Sequence, residues 1–279
     1  MNKHTDVRMA HTGDTKGVEE TANSLYASCS TSIRQGMAQG QENISNSGRT
    51  CVVSFFTGEP YRQEAARLER SLQAVQMPYY LREIPLRCEN WHRAVSLKPA
   101  YLHQCWHSLH TPLLYVDVDA VVHQNCEDYF NGLDCDFAAH WFQGPSGGYN
   151  RNRNDNWFLS GTMFFNTTPK ANELLIAWLQ VNKKKQTQGI WEGGGQANLA
   201  QVLLEKRVKD LRVHRLPGRY CYVFDKPWAY PEGEPRIIEH LIASRENKDS
   251  SKGKINSARR ERIREIDQAK RASKEGNKI

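Results

Sequence analysis

Between Cys51 and Asp119 short apolar runs alternate with helical patterns, and this alternation limits the possible folds more than any other feature of the chain. Cys51-Val-Val-Ser-Phe-Phe56 is an apolar run that ends in Thr57-Gly58-Glu59-Pro60, the pattern of a buried strand followed by a turn. Ala65, Ala66, Leu68, Leu72 and Val75 then recur at helical spacing. Residues 79–84 read as a second strand. Lys98-Pro99 opens a helix to about residue 109, with proline in the first turn, where its missing N–H costs nothing. Residues 113–116 form a third strand that stops at Asp117. A strand-helix-strand-helix-strand order implies an α/β fold with a mostly parallel central sheet and helices on its faces. In such sheets ligands bind outside the carboxyl ends of the strands, where Thr57 and Asp117 fall.

The remainder is less regular. Residues 136–140 and 158–166 read as strands, 169–182 as a helix with Leu174, Leu175, Trp178 and Leu179 facing inward, and 196–206 as a helix after a glycine run. Residues 211–216 and 237–240 complete the strands. The polar, glycine-rich stretch 144–156 is a loop. Residues 1–48 are polar and poor in large apolar groups, so they are expected to be disordered, with a short helix near 18–30. The folded domain is expected at 49–243. A basic tail follows at 244–279, with a helix over about 257–273 in which Ile263 and Ile266 are the only strong apolar groups. That stripe is too thin for a membrane anchor.

Charge is placed unevenly. The chain carries +7, and from Lys252 onward ten Lys or Arg stand against four Asp or Glu, a balance of +6. The body is therefore nearly neutral. There is no apolar run of transmembrane length and no secretory pattern at the first residues, so a cytoplasmic location is expected. Seven cysteines at scattered spacings, with no Cys-x-x-Cys, suggest neither a disulfide framework nor a zinc cage. Cys51 and Cys105 read as small core residues.

Asp117-Val118-Asp119 is the chemical signal. Two acids one residue apart at a strand end can both reach a divalent cation if the backbone bends there, and carboxylates are hard ligands suited to Mn²⁺ or Mg²⁺. Such a cation can neutralise charge on a leaving diphosphate. A solvated turn is the other role open to such a pair. His240 lies in an apolar strand, where a lone histidine is more often a hydrogen-bonded core residue than a ligand. Histidines 103, 107 and 110 have helical spacing but no acid beside them, and read as a helix face.

Leu114-Tyr-Val-Asp-Val-Asp-Ala120 resembles the Asp-x-Asp region of GT-A-type glycosyltransferases, the glycogenin-like nucleotide-diphospho-sugar transferases with a Rossmann-like fold. Further pieces follow in the order of that family: the first strand ending at Thr57, Lys98-Pro99 before the acidic strand, Leu159-Ser-Gly-Thr162-Met-Phe-Phe-Asn166 on the sugar side, Gly195-Gln196 opening a helix, and His240 late in the chain. The resemblance implies metal ligation by Asp117, Asp119 and His240. It implies donor contacts from Thr57, Lys98, Asp117, Val118, Ser160, Gly161 and Thr162, and a nucleoside-diphosphate sugar, UDP-sugar first, as donor.

The chain departs from the family where an acid should precede Gln196, because Gly195 stands there. Gln196 can orient a sugar but is no base at neutral pH, so Glu192 and Asp155 are the remaining candidates for the catalytic carboxylate. Trp141, Trp157, Trp191 and Trp228 could form a stacking platform or simply pack. The basic tail would suit a polyanionic acceptor such as a modified base in DNA; a polysaccharide, a lipid-linked sugar or a protein are alternatives. Two other classes stay open at this point: a sugar nucleotidyltransferase, and a non-catalytic sugar-nucleotide-binding protein.

Overall fold

The computed structural model describes residues 48–84, 91–141, 158–190, 194–244 and 253–276. The polar N-terminal segment up to residue 47, with its expected helix at 18–30, lies outside them.

The alternation expected in the first half is present: β1 (Cys51–Phe56), α1 (Glu59–Ala74), β2 (Tyr79–Glu83), α2 (Trp91–Ser96), α3 (Lys98–Leu109) and β3 (Leu113–Val116). Gly58, at φ +71°, makes the turn out of β1, and Pro60 sits in the first turn of α1. Pro99 starts α3 in the same way, and His110 ends it in the left-handed conformation. The second half adds β4 (Ala120–Val122), α4 (Glu127–Asn131), β5 (Phe137–Trp141), β6 (Phe158–Phe165), α5 (Pro169–Thr187), α6 (Gly194–Leu204), β7 (Val213–Arg215), β8 (Tyr222–Val223), β9 (Ile238–His240) and α7 (Gly253–Gly276). Thr168 caps α5 by accepting from the Ala171 N–H at 3.2 Å.

Six strands form the central sheet in the order β2-β1-β3-β6-β5-β7. β1 runs parallel to β2 and β3, and β5 parallel to β7, whereas β6 is antiparallel to both neighbours. The sheet is thus mostly parallel, with one reversed strand beside the acidic one. Side chains alternate between two covered faces. Cys51, Val53, Leu113 and Tyr115 join Leu102, Cys105, Leu174 and Trp178 of α3 and α5 on one side. Val52, Leu114 and Val116 join Leu68 and Leu72 of α1 on the other.

A second sheet, in the order β4-β9-β8, continues from the acidic segment. β4 and β9 are antiparallel, with Ala120 opposite His240. Against this small sheet lies α7, longer than the helix expected at 257–273. Its Ile266 is buried with Val121 and Leu241, and Ile263 packs beside them. Among the described residues no helix is long and apolar enough to cross a membrane.

Candidate active site

The acidic pair sits in a tight turn between the two sheets. The Ala120 N–H donates to the Asp117 carbonyl at 2.9 Å, closing a turn over residues 117–120, and the Asp117 N–H donates to the Gly161 carbonyl at 2.8 Å. The bend needed for both acids to act together is therefore built by the backbone. Val118, between them, is buried.

The two carboxylates have different surroundings. Asp117 is 40% exposed, and its Oδ1 accepts from Lys98 Nζ at 3.0 Å and from the Tyr115 hydroxyl at 2.8 Å. Asp119 is buried, and its Oδ2 accepts from the Ala243 N–H at 2.7 Å. Burial, with the nearby charges of Asp117 and Glu64, pushes the Asp119 carboxyl up to about 7.

β9 brings His240 beside this turn. The Leu241 N–H donates to the Asp119 carbonyl at 3.1 Å, and His240 Nε2 lies 2.8 Å from Thr162 Oγ1. Burial pulls the His240 imidazole down to about 4, so it is neutral at pH 7, the form that can ligate a metal. Gly161 explains its own identity here. A Cβ at that position would lie 3.0–3.3 Å from three atoms of the His240 ring. The glycine of Ser160-Gly161-Thr162 makes room for the imidazole.

The same three residues form a break in register. Ala139 of β5 pairs with Met163 and His140 with Leu159, so residues 160–162 of β6 bulge away from β5 toward the acidic turn. The bulge meets α3 and α6. Lys98 is buried, and besides Asp117 its ammonium donates to the Ser160 carbonyl at 3.2 Å and Ser160 Oγ at 3.4 Å. It also lies 4.7 Å from the Tyr115 ring centre. Three acceptor atoms thus surround the ammonium. Gln196 Oε1 accepts from the Ser160 N–H and Oγ, each at 3.0 Å. Asp117, Lys98, Ser160 and Gln196 are therefore one polar chain.

Thr57 stands half-buried at the carboxyl end of β1, the strand next to β3. Asp155 and Glu192, the candidate bases, lie outside the described residues, as do Trp157 and Trp191. Trp141 stacks near Phe158 and under Arg215, which is packing, whereas Trp228 is 51% exposed. His103 and His107 form a ring pair on the face of α3, with their Nε2 atoms 3.1 Å apart.

Two carboxylates and a neutral imidazole are the donor set that Mn²⁺ or Mg²⁺ takes. Among the described residues no three His, Cys, Asp or Glu side chains already converge on one point. The reason is visible: Asp117 Oδ1 is turned to Lys98 and Tyr115, and His240 Nε2 to Thr162. The set fits a cation in chemistry, with the Asp117 carboxylate and the His240 ring both still to be released from their present partners.

No protein-family model matches the chain, and neither does any curated protein sequence. Among solved structures it is similar to a glycosyltransferase involved in the glycosylation of the major capsid of PBCV-1, with 13% identity over 71% of this chain and 97% of that one, at a TM-score of 0.53. The chain has a glycosyltransferase fold. Weaker likenesses are to the galactosyltransferase LgtC, at 13% identity over 68% of this chain and 86% of that one with a TM-score of 0.44, and to GlyE of Streptococcus pneumoniae TIGR4, at 15% identity over 68% and 53% with a TM-score of 0.39.

Within this glycosyltransferase fold the departure at Gly195 has a steric cause. A Cβ there would lie 3.1 Å from the Trp178 ring and 3.1 Å from the Val95 carbonyl, and the Gly195 carbonyl accepts from Trp178 Nε1 at 2.8 Å. A side chain at 195 would crowd Trp178 and the Val95 carbonyl. Two contributors escaped the sequence reading. Tyr115 read as a core strand residue, yet it lies two positions before Asp117 and so on the same strand face, a signal that was available. Glu239, beside His240, is fully buried and ion-paired with His123 at 2.9 Å, Arg236 at 3.1 Å and Arg262 at 2.9 Å. Nothing local marks that cluster.

Proposed function

We propose that this protein transfers a sugar from a nucleoside-diphosphate donor, UDP-sugar first, to an acceptor hydroxyl, with Mn²⁺ or Mg²⁺ held by Asp117, Asp119 and His240. The observation that carries this reading is the pairing of β4 with β9, which sets a neutral His240 beside a buried, proton-prone Asp119 at the carboxyl end of β3. When bound, the cation would neutralise charge on the leaving diphosphate.

The chain's own residues divide the remaining work. Lys98 fixes Asp117 and, through Ser160, the bulge that faces the donor. Gln196 spends its carbonyl oxygen on Ser160, so its amide is left to donate to a sugar hydroxyl. Thr57 and Val118 stand where the nucleoside of a donor at this rim would lie, and Ser160, Gly161 and Thr162 line the sugar side. Glu192 or Asp155 would take the acceptor proton.

One observation favours a second reading. Gly195, packed under Trp178, leaves no acid in the place where the family keeps one, which suits a sugar-nucleotide-binding protein without transfer. Product formation separates the two readings. A DNA acceptor rests on the basic tail, and two tail arginines, Arg259 and Arg262, are already spent on Glu64 and Glu239. The experiment is incubation with labelled nucleotide sugars, with Mn²⁺ or chelator, and with or without DNA. Metal-dependent turnover that disappears in Asp117→Ala/Asp119→Ala supports transfer, and turnover that survives in that variant overturns the site assignment.

A further inference from the structure

A cavity of about 840 Å³ lies between α1 and α7, lined by Arg67, Arg259, Arg260, Arg264, Glu64 and Ala243 among others. Four guanidinium groups and one carboxylate line it, and a second acid, Asp119, is near enough to interact with Glu64 and Arg259. Glu64 already serves two of them, Oε2 toward Arg67 Nη1 and Oε1 toward Arg259 Nη2 at 2.7 Å. These groups are largely out of water: the side chains of Glu64, Arg259 and Arg67 are 7%, 6% and 12% exposed. Arg67 Nε is buried with no hydrogen-bond partner. Enclosed positive charge in excess, with an unmatched donor, is costly unless an anion enters. Arg260 and Arg264 are exposed and bring further charge to the mouth.

We propose that this cavity binds a phosphate or diphosphate group. Guanidinium forks match phosphate oxygens in pairs, and one phosphate offers several acceptors and close to two negative charges. The position gives the cavity a use. Ala243 in its wall donates to Asp119 Oδ2, so an anion held there abuts the acidic turn from the α7 side. This use rests on the donor reading above; the anion site itself does not. The phosphate belongs either to the nucleotide donor or to a phosphate-bearing acceptor, and α7 is then part of the substrate site rather than a free tail.

The test is calorimetric titration of inorganic pyrophosphate into the full chain, in chelator and at low salt, so that neither metal nor sugar transfer enters. Arg260→Ala/Arg264→Ala changes exposed side chains only, and its thermal melt serves as the check on folding. Lys183→Ala/Lys184→Ala, on α5 away from the cavity, removes the same net charge. The expected result is affinity at least tenfold weaker in the arginine variant and unchanged in the lysine variant. Equal affinity in wild type and arginine variant, or equal loss in both variants, overturns the proposal. Repeating the titration in Mg²⁺ instead of chelator, with UDP first shown to bind and then held at saturation, assigns the source: competition identifies the donor's diphosphate, and simultaneous binding identifies an acceptor phosphate. Failure of sugar transfer would sink the donor reading while leaving the pyrophosphate result standing, and the reverse also holds.

Discussion

At Gly161 a single hydrogen decides the geometry of the candidate site. Gly161→Ala would drive a methyl into the His240 ring, so the imidazole or the bulge must shift, at a cost of about 1–3 kcal/mol. Urea unfolding reads that loss, and metal-dependent stabilisation by UDP should weaken with it; an unchanged UDP response would argue against His240 as a ligand. Gly195→Asp, which restores the acid of the family pattern, is expected to lower stability by a similar amount, about 1–3 kcal/mol, without raising turnover. Its Cβ meets Trp178 and the Val95 carbonyl. Faster transfer in that variant would show that the missing acid was merely lost and not displaced by packing. Asp117 and Asp119 were legible as candidates because acids at a strand end are a local pattern; His240 became one only through the family resemblance, since a histidine in an apolar strand reads by itself as a core residue. Two of their present partners, Lys98 and Thr162, were not, since those hydrogen bonds depend on which helix and which strand pack beside β3; Tyr115, two positions before Asp117, could have been read.

The elements that matter most are short. β4 and β9 have three residues each, and their pairing alone sets His240 opposite Ala120. Behind β9, Glu239 is held down to about 2 by its hydrogen bonds with His123 and Arg262, which outweigh the effect of its burial. Its ordinary value is 4.5, so the folded form is favoured by ionisation. That contribution is fully present above about 4.5 and is lost as the pH falls toward 2, a difference of roughly 3 kcal/mol. In pH-dependent urea unfolding, the gap between wild type and Glu239→Gln should therefore shrink across that window. A gap that stays constant would mean that the carboxylate is not ionised in its cluster. Arg262→Ala removes one partner of a buried pair and is expected to cost about 3 kcal/mol, because His123 and Arg236 still hold the acid.

Over the whole molecule, α7 ties the C-terminal part of the chain to the candidate site. Ile266 covers Val121 and Leu241, Arg262 reaches Glu239, and Arg259 reaches Glu64 and the Leu241 carbonyl at 2.9 Å. Removal of residues 253–279 is expected to lower the melting temperature by several degrees, in line with about 2–4 °C for each kcal/mol lost in a chain of this size. Differential scanning calorimetry checks this, and a truncated chain that melts like the full one would return α7 to the status of a solvated tail. The +6 balance read from the tail is only partly free charge, because Arg259 and Arg262 are paired with Glu64 and Glu239; composition counts charges but does not say which of them find partners.

Local pattern was enough for the class of fold, for the three strands and the two longer helices of the first half, and for the acidic pair as a candidate. Each rests on periodicity or on residues adjacent in the chain, and those signals survive in one dimension. Tertiary structure alone decided the reversed strand β6, the bulge at 160–162, the meeting of β4 with β9, the packing of Trp178 against Gly195, and the docking of α7. These are contacts between segments far apart in sequence, chosen by which apolar faces cover one another and which buried charges find partners. Burial then set the chemistry: in water Asp119 and His240 would be ordinary, and inside this turn one holds its proton more tightly and the other gives it up.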